Sequence, residues 1–423
     1  MLRKTILLCS ALLLLSGCEM FNTPLNTLQP PKLTEKQEKI KEDILKQLPP
    51  NSKIADPIQT GQSLPLYNMV DLNGDGKEEV VVFHLTPQQQ AYSFSIFKEI
   101  GTHWTKVSTL NIATKNIDKV LFKDITDDGN NDIILGIGEE TRSKNVFVYQ
   151  LIDDQIHTVL NAPYEELIVE DMDNDGNTEL YTLAIQPKQN KDIEKRRRKS
   201  MFLNKYSFVN NSLQIYHQLP IHNDKNAYYF LESGTIAPDK KGILLYTYEL
   251  ADPVRNLNIY YEQNEKLVAI PNQSLQMFQQ KPFSTESRDI NNDGIMELSI
   301  PMLKDEHTAE QYLTNQLPFI TGYYQWDGKD EFRLIERHYY DTNLSYDFTI
   351  PKEWPTNLKL TRKDNSIHFV DGRTNKILFD IQAIPIEKWD DNSKQYILKQ
   401  TSHHVFVSTF QTDTYQKFFH IQE

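Results

Sequence analysis

DLNGDGKEEVVVF, residues 71–83, crowds oxygen-bearing side chains around two glycines and then turns at once into apolar residues. An Asp/Asn/Gly cluster before a Val-rich run reads as a tight turn feeding a β-strand. The same scheme, Asp-x-[Asn/Thr/Asp]-x-Asp-Gly-x-x-[Glu/Asp] and then an apolar run, recurs as DITDDGNNDIILGI from 124, DMDNDGNTELYTLAI from 171 and DINNDGIMELSIPML from 289. Internal repetition decides the fold here, because it identifies one supersecondary unit used several times.

The four starts lie 53, 47 and 118 residues apart, so the long interval holds two periods with a degenerate copy between them. GTIAPDKKGILLYTY is the candidate for that copy: Asp239 and Gly242 precede a strand, and the other carboxylates are missing. YYQWDGKDEFRLIERHYY, from Tyr323, is read as strands of a further unit. With SFSIFKEI, NVFVYQLI and LNIYYEQ between the motifs, about four strands fit each interval, the size of a propeller blade. The expected fold is mainly β: a β-propeller of about six to seven blades over residues 60–343.

The motifs resemble the FG-GAP or VCBS-type repeats of β-propellers, including those of integrin α-subunits. In that family the acidic loop joins two strands of a blade and binds calcium. The resemblance covers roughly residues 60–340 and rests on the loops, since no FG-GAP dipeptide pair is legible.

The residues support a metal reading in their own right. An EF-hand loop needs a bidentate Glu at its twelfth position. Val82, Leu135, Thr182 and Ile300 stand there instead, inside strand patterns, which excludes the sensor loop. The shorter scheme offers side-chain oxygens at positions one, three, five and nine and a main-chain carbonyl at seven. These are Asp71, Asn73, Asp75, Lys77 and Glu79; Asp124, Thr126, Asp128, Asn130 and Asp132; Asp171, Asp173, Asp175, Asn177 and Glu179; and Asp289, Asn291, Asp293, Ile295 and Glu297. Five hard oxygens completed by water suit Ca²⁺ better than octahedral Mg²⁺, with a structural role and a Kd on the order of 10⁻⁴ to 10⁻³ M, as in extracellular modules. The third loop is the most acidic and is expected to bind best, and the second, with Thr126, least. The competing reading is a set of metal-free Asx-turns.

MLRKTILLCSALLLLSGC opens the chain with two basic residues, a short apolar run and small residues before Cys18. It reads as a secretory signal over residues 1–17, too short to span a membrane. Leu15-Ser16-Gly17-Cys18 resembles the bacterial lipobox, which implies cleavage before Cys18 and diacylation of its thiol. Cys9 and Cys18 are the only cysteines, so the processed chain has no intramolecular disulfide. Residues 18–32 read as a tether. Thr34 and Gln37 form a capping box for one short helix with Ile40, Ile44 and Leu48 four apart, in a lead-in over 33–59 ended by Pro49 and Pro50.

Of 423 residues, 39% are hydrophobic and 24% charged, with 20 Phe and 21 Tyr, enough to build a core. The net charge is −13, and processing removes Arg3 and Lys4, which argues against nucleic acid and against electrostatic docking on anionic lipid. Membrane attachment therefore rests on the acyl chains, at the extracytoplasmic face of the bacterial membrane. Residues 344–423 (LSYDFTIPKEWPTNLKL onward) alternate without acidic loops and are read as a small β unit or as closing blades.

The remaining features have plain readings: KRRRK at 195–199 as a solvated loop, and His403-His404 as successive strand residues pointing oppositely. Tyr228-Tyr229, Tyr260-Tyr261, Tyr323-Tyr324 and Tyr339-Tyr340 suit strands, with a sugar platform as the alternative. No nucleophile with an identifiable base, P-loop or H-E-x-x-H is present, and the chain is expected not to be an enzyme. The functional expectation is a calcium-stabilised interaction or scaffold module at the cell surface, its partner an unknown envelope protein or glycan. A carbohydrate- or polymer-binding lipoprotein and a cell-envelope hydrolase are the alternatives, since a propeller hosts unrelated functions.

Overall fold

The computed structural model describes residues 34–55, 67–85, 91–112, 114, 116–138, 144–187, 199–221, 227–249, 252–279, 281–282, 287–303, 317–390 and 394–422. Cys18, the signal and the tether, and residues 195–198 of the basic run, lie outside them. The described residues are mainly β, with one α-helix and six antiparallel sheets. They fall into two compact units, the first within Met1–Asp56, Leu64–Val70 and Glu78–Lys115, the second within Pro57–Ser63, Asp71–Lys77 and Asn116–Glu423. Among them no helix is long and apolar enough to cross a membrane.

In the first unit helix α1, Glu35–Gln47, starts at Thr34, whose hydroxyl accepts from Gln37 N while the Gln37 side chain accepts from Thr34 N. This satisfies two donors that a helix start leaves orphaned. Ile40, Ile44 and Leu48 are buried against Val80, Val82, Phe97 and Trp104 of sheet one. Polar bonds fix the helix in place: Trp104 N donates to Asp43 Oδ2 at 3.1 Å, and Lys106 N to Gln47 Oε1 at 2.8 Å. Sheet one runs Glu79–Leu85, Tyr92–Ile100 and His103–Asn111, with Lys53–Ile54 and Asn68–Val70 sharing the edge of its Glu79–Leu85 strand.

The second unit repeats one device, a meander of sequential antiparallel strands, which sheet five extends with the C-terminal strand and sheet six ends with its last two strands in reversed order. Sheet two comprises Ile117–Lys123, Asp132–Ile137, Lys144–Ile152 and Gln155–Tyr164. Sheet three comprises Glu166–Glu170, Glu179–Pro187, Lys199–Val209 and Ser212–Ile221. Sheet four comprises Ala227–Ala237, Lys240–Glu249, Asp252–Gln263 and Lys266–Ala269, with Lys281–Pro282 added to its third strand. Sheet five holds Leu298–Met302, Ile320–Trp326, Phe332–Asp341, Tyr346–Thr349 and the C-terminal Phe419–Ile421. Sheet six holds Leu358–Lys363, Ser366–Asp371, Ile377–Pro385, His404–Ser408 and Tyr396–Gln400.

Consecutive sheets of this unit share a core. Val146 and Val148 of sheet two meet Leu167 and Leu180 of sheet three; Leu183 and Leu203 of sheet three meet Ile243 and Leu245 of sheet four. Leu244 and Ile259 meet Leu298 and Trp326, and Tyr339 and Phe348 meet Phe369 and Phe379. Strand alternation makes this possible, because neighbouring residues such as Leu244 and Leu245 point to opposite faces and each sheet buries both. Sequential meanders buried on both faces are the blades of a β-propeller.

Two expectations about the units change. The strands of YYQWDGKDEFRLIERHYY complete the sheet entered from the fourth acidic loop and do not begin another. The boundary expected near residue 343 falls inside sheet five, since Tyr346–Thr349 pairs with Phe332–Asp341 on one side and Phe419–Ile421 on the other. Alternation marks a run as a strand and leaves its partner unspecified, which is why this pairing was not legible.

Candidate metal centre

Each acidic motif occupies the connection into the apolar strand of its sheet, and all four fold by the same hydrogen bonds. The sixth-position glycines Gly76, Gly129, Gly176 and Gly294 have φ of 79°, 83°, 96° and 84°. Their N–H groups donate to Oδ2 of the first-position Asp71, Asp124, Asp171 and Asp289 at 2.9, 2.8, 3.1 and 2.8 Å. The seventh N–H of Lys77, Asn130, Asn177 and Ile295 donates to Oδ1 of Asp75, Asp128, Asp175 and Asp293 at 2.8, 2.8, 2.7 and 2.9 Å. Fourth-position Gly74, Asp127, Asn174 and Asn292 are also left-handed, a conformation that glycine, Asn and Asp tolerate best. Main-chain donors thus aim the carboxylates, and each loop is in that respect a set of Asx-turns.

The ninth residue ends the loop and begins the strand, or in the fourth loop immediately precedes it, so it is carried inward. Glu79, Asp132 and Glu297 are buried, and Glu179 is half-buried. Ile125 N donates to Asp132 at 2.9 Å, Met172 N to Glu179 at 3.2 Å and Ile290 N to Glu297 at 2.9 Å. Burial pushes the Asp132 and Glu297 carboxyls up to about 7, against those hydrogen bonds and helped by the neighbouring loop carboxylates. Burial likewise raises Glu179. Crowded carboxyls held against ionisation fit a cation, which would neutralise them. In the third loop Asp171, Asp173 and Glu179 bring one oxygen each within 4.8 Å of the others, the one such group among the described residues.

The structure adds donors that sequence reading missed. Gln150 Nε2 donates to Asp128 Oδ2 at 2.8 Å and to Thr126 Oγ1 at 2.9 Å. Gln325 Nε2 donates to Asp293 Oδ2 at 2.8 Å and to Glu297 Oε1 at 3.1 Å. Both sit on the next strand, one residue beyond the pairs Ile133–Tyr149 and Leu298–Tyr324, and therefore opposite the ninth residue. In the third loop Lys205 Nζ lies 3.4 Å from Glu179 Oε1. The only sequence signal was a polar residue breaking an apolar run one strand downstream.

The second-unit loops are also tied to their surroundings. Asn131 Nδ2 of the second loop donates to the Asp71 carbonyl of the first at 3.0 Å. Lys241 Nζ donates to the Asp171 carbonyl at 2.8 Å and to Glu170 at 2.6 Å. Lys241 belongs to the degenerate copy, where Ala227–Ala237 and Lys240–Glu249 are joined by a tight turn through Asp239 (φ 57°) in place of an acidic loop.

Elsewhere His403 is exposed, and His404 opens the strand His404–Ser408. His338 is buried between two carboxylates, its Nδ1 3.1 Å from Asp347 and its Nε2 3.1 Å from Glu336. A cavity of about 240 Å³ beside Glu336 is lined also by Leu334, Arg337, Ile350 and Lys352, without the second carboxylate a glycosidase pair requires.

No protein-family model matches the sequence, and no curated protein does. Among solved structures the chain is similar to a protein from Lactobacillus plantarum, at 6% identity and a TM-score of 0.28 over 73% of this chain and 82% of that one. It is also similar to the periplasmic gluconolactonase PpgL of Pseudomonas aeruginosa, at 9% identity and a TM-score of 0.30 over 74% of this chain and 94% of that one. A third likeness is to an acylaminoacyl peptidase of Pyrococcus horikoshii, at 10% identity and a TM-score of 0.24 over 78% of this chain and 47% of that one. With a gluconolactonase and a peptidase among them, the expectation that the chain is not an enzyme is corrected: its architecture gives no ground for excluding catalysis. Likenesses this remote lend it no particular reaction.

Proposed function

We propose that this chain is a lipoprotein of the bacterial envelope, tethered through diacylated Cys18, whose FG-GAP- or VCBS-type blades are stabilised by Ca²⁺ and serve as an interaction or scaffold module. The observation that carries the reading is the fourfold repetition of one hydrogen-bonded loop at one place in the blade. A turn that needed only to reverse the chain would not have to keep acidic residues at positions one, five and nine each time. Calcium would be held by the side chains at positions one, three, five and nine and the carbonyl at seven. Bound there, it supplies charge neutralisation and stiffness. The chain's own residues supply the frame: glycine N–H groups aim the carboxylates, and Gln150, Gln325 and Lys205 moderate their charge.

Thermal melts with EDTA and with added calcium test this. Chelation lowers Tm and calcium restores it; an unchanged melt, with no ion at the loops by elemental analysis, overturns the calcium role. Envelope pull-down with and without calcium tests the interaction role, which predicts calcium-dependent capture of a defined partner, an envelope protein or glycan.

A further inference from the structure

We infer that the first strand of sheet four carries a glycan-binding platform made by Tyr228 and Phe230. The two residues alternate on Ala227–Ala237 and so share a face. Each stacks on the ring directly opposite: Tyr228 on Tyr248, centroids 5.7 Å apart and planes 23° apart, and Phe230 on Tyr246 at 6.0 Å and 29°. The inner ring of the second pair, Tyr246, is 3% exposed, whereas Tyr228 and Phe230 are 46% and 49% exposed. Their strand is the first of its sheet, so the outward ring faces stand at an edge, about 7 Å apart along the strand.

A buried polar cluster adjoins the plate: Arg255, Ser287 and Ser299 are each 5% exposed or less. The Arg255 guanidinium lies 4.7 Å from the Tyr246 ring centroid and reaches Ser299 Oγ at 3.4 Å, while the Tyr246 hydroxyl is 3.0 Å from Ser287 Oγ. Glu232, next on the same strand face, lies beside Tyr246 and Arg255. A pyranose has the matching chemistry: an apolar C–H face to stack on a ring and a rim of hydroxyls that can donate to the half-buried Glu232 carboxylate.

Size and charge separate this occupant from others. Half-exposed rings of about 200 Å² each offer roughly 200 Å² together, against about 800 Å² per partner in a stable protein interface. Nucleic-acid bases also stack on aromatic plates, but the net charge of −13 repels their phosphates. The platform does not depend on the calcium loops.

The full chain is titrated with chitohexaose and with cellohexaose by calorimetry, and co-sedimented with purified peptidoglycan sacculi. Binding to at least one probe is expected, weakened at least tenfold in the double variant Tyr228→Ala, Phe230→Ala. It should be unchanged in Tyr216→Ala, which removes an exposed ring from sheet three. Should the alanine pair lower Tm, Tyr228→Leu with Phe230→Leu removes the rings while keeping apolar volume, and the same loss is expected. Binding to hexasaccharides alone identifies a free oligosaccharide as ligand, and binding to sacculi alone a wall polymer. No binding to any probe at millimolar concentration, or equal binding by the ring-deleted variants, overturns the inference.

Discussion

Lys205 sets its ammonium 3.4 Å from Glu179 Oε1, so the ninth-position carboxylate of the third acidic loop already has a cation beside it. The same ammonium is 2.7 Å from Glu262 Oε1, and Glu262 has a side-chain exposure of 2%. Acid count alone ranks the third loop first for calcium; a fixed internal cation acts against that rank, because it must be outcompeted or repelled at close range. Lys205→Met should melt lower without metal, since stranding a buried carboxylate costs about 3 to 5 kcal/mol. It should also gain more Tm on calcium addition than the parent. An equal calcium-induced rise in the two proteins would show that Lys205 has no bearing on the loop.

His84 makes the first unit sensitive to acid. It is fully buried, Nε2 lies 3.0 Å from Ser95 Oγ, and burial, aided by Lys106, lowers its pKa from 6.5 to about 4. Between those values the unfolded chain binds a proton that the folded one refuses, so stability is full above 6.5 and declines as pH falls towards 4. At about 1.4 kcal/mol per pH unit the loss is on the order of 3 kcal/mol. Urea midpoints of His84→Gln at pH 7 and 4.5 should differ by less than those of the parent; parallel losses would assign the acid sensitivity to other groups.

Two glycines separate conformational from steric cost. A Cβ on Gly176 meets nothing within 4 Å, but its φ of 96° strains any L-residue, and Gly176→Ala should cost about 1 kcal/mol or somewhat more. A Cβ on Gly136 would lie 2.1 Å from the Tyr164 hydroxyl and 2.6 Å from Asp118 Oδ1, displacing their hydrogen bond. Gly136→Ala should therefore cost more, about 1 to 3 kcal/mol as overpacking does. Denaturant unfolding of both variants checks the order, and the reverse order would contradict it.

Arg337 anchors the turn of YDFTIPKEWP. Its guanidinium is buried and donates to the carbonyls of Trp354 and Pro355, each at 2.8 Å, while Trp354 packs into the aromatic core between sheets five and six. Arg337→Met leaves these carbonyls without their donor and should cost about 2 to 4 kcal/mol. Arg337→Lys should recover only part, since an ammonium lacks the planar fork. A fall in Tm with loss of near-ultraviolet signal from Trp354 is the expected readout; full rescue by lysine would show that charge alone suffices.

The blades were legible because they are local. Asp71, Gly76 and Glu79 and their counterparts sit at fixed spacings whose hydrogen bonds close within ten residues, and the strands after them carry their apolar residues in unbroken runs. The capping box at Thr34 and Gln37 was legible for the same reason. Non-local relations were not legible: Gln325 opposite Glu297, Lys205 between Glu179 and Glu262, and the pairing of Phe419–Ile421 with Tyr346–Thr349. Register and partner choice follow from which backbone edge and which face are left to bury, and a sequence read alone does not contain them.

The sequence by itself therefore determined the repeated unit, its strand-feeding acidic loop and the mainly β class, since short-range chemistry dictates each. Only the tertiary structure decided which side chains enter each loop from the next strand, which aromatic rings stack inward and which stay free, and where the last strand returns. Those outcomes depend on contacts between residues far apart in the chain, where packing and charge act together.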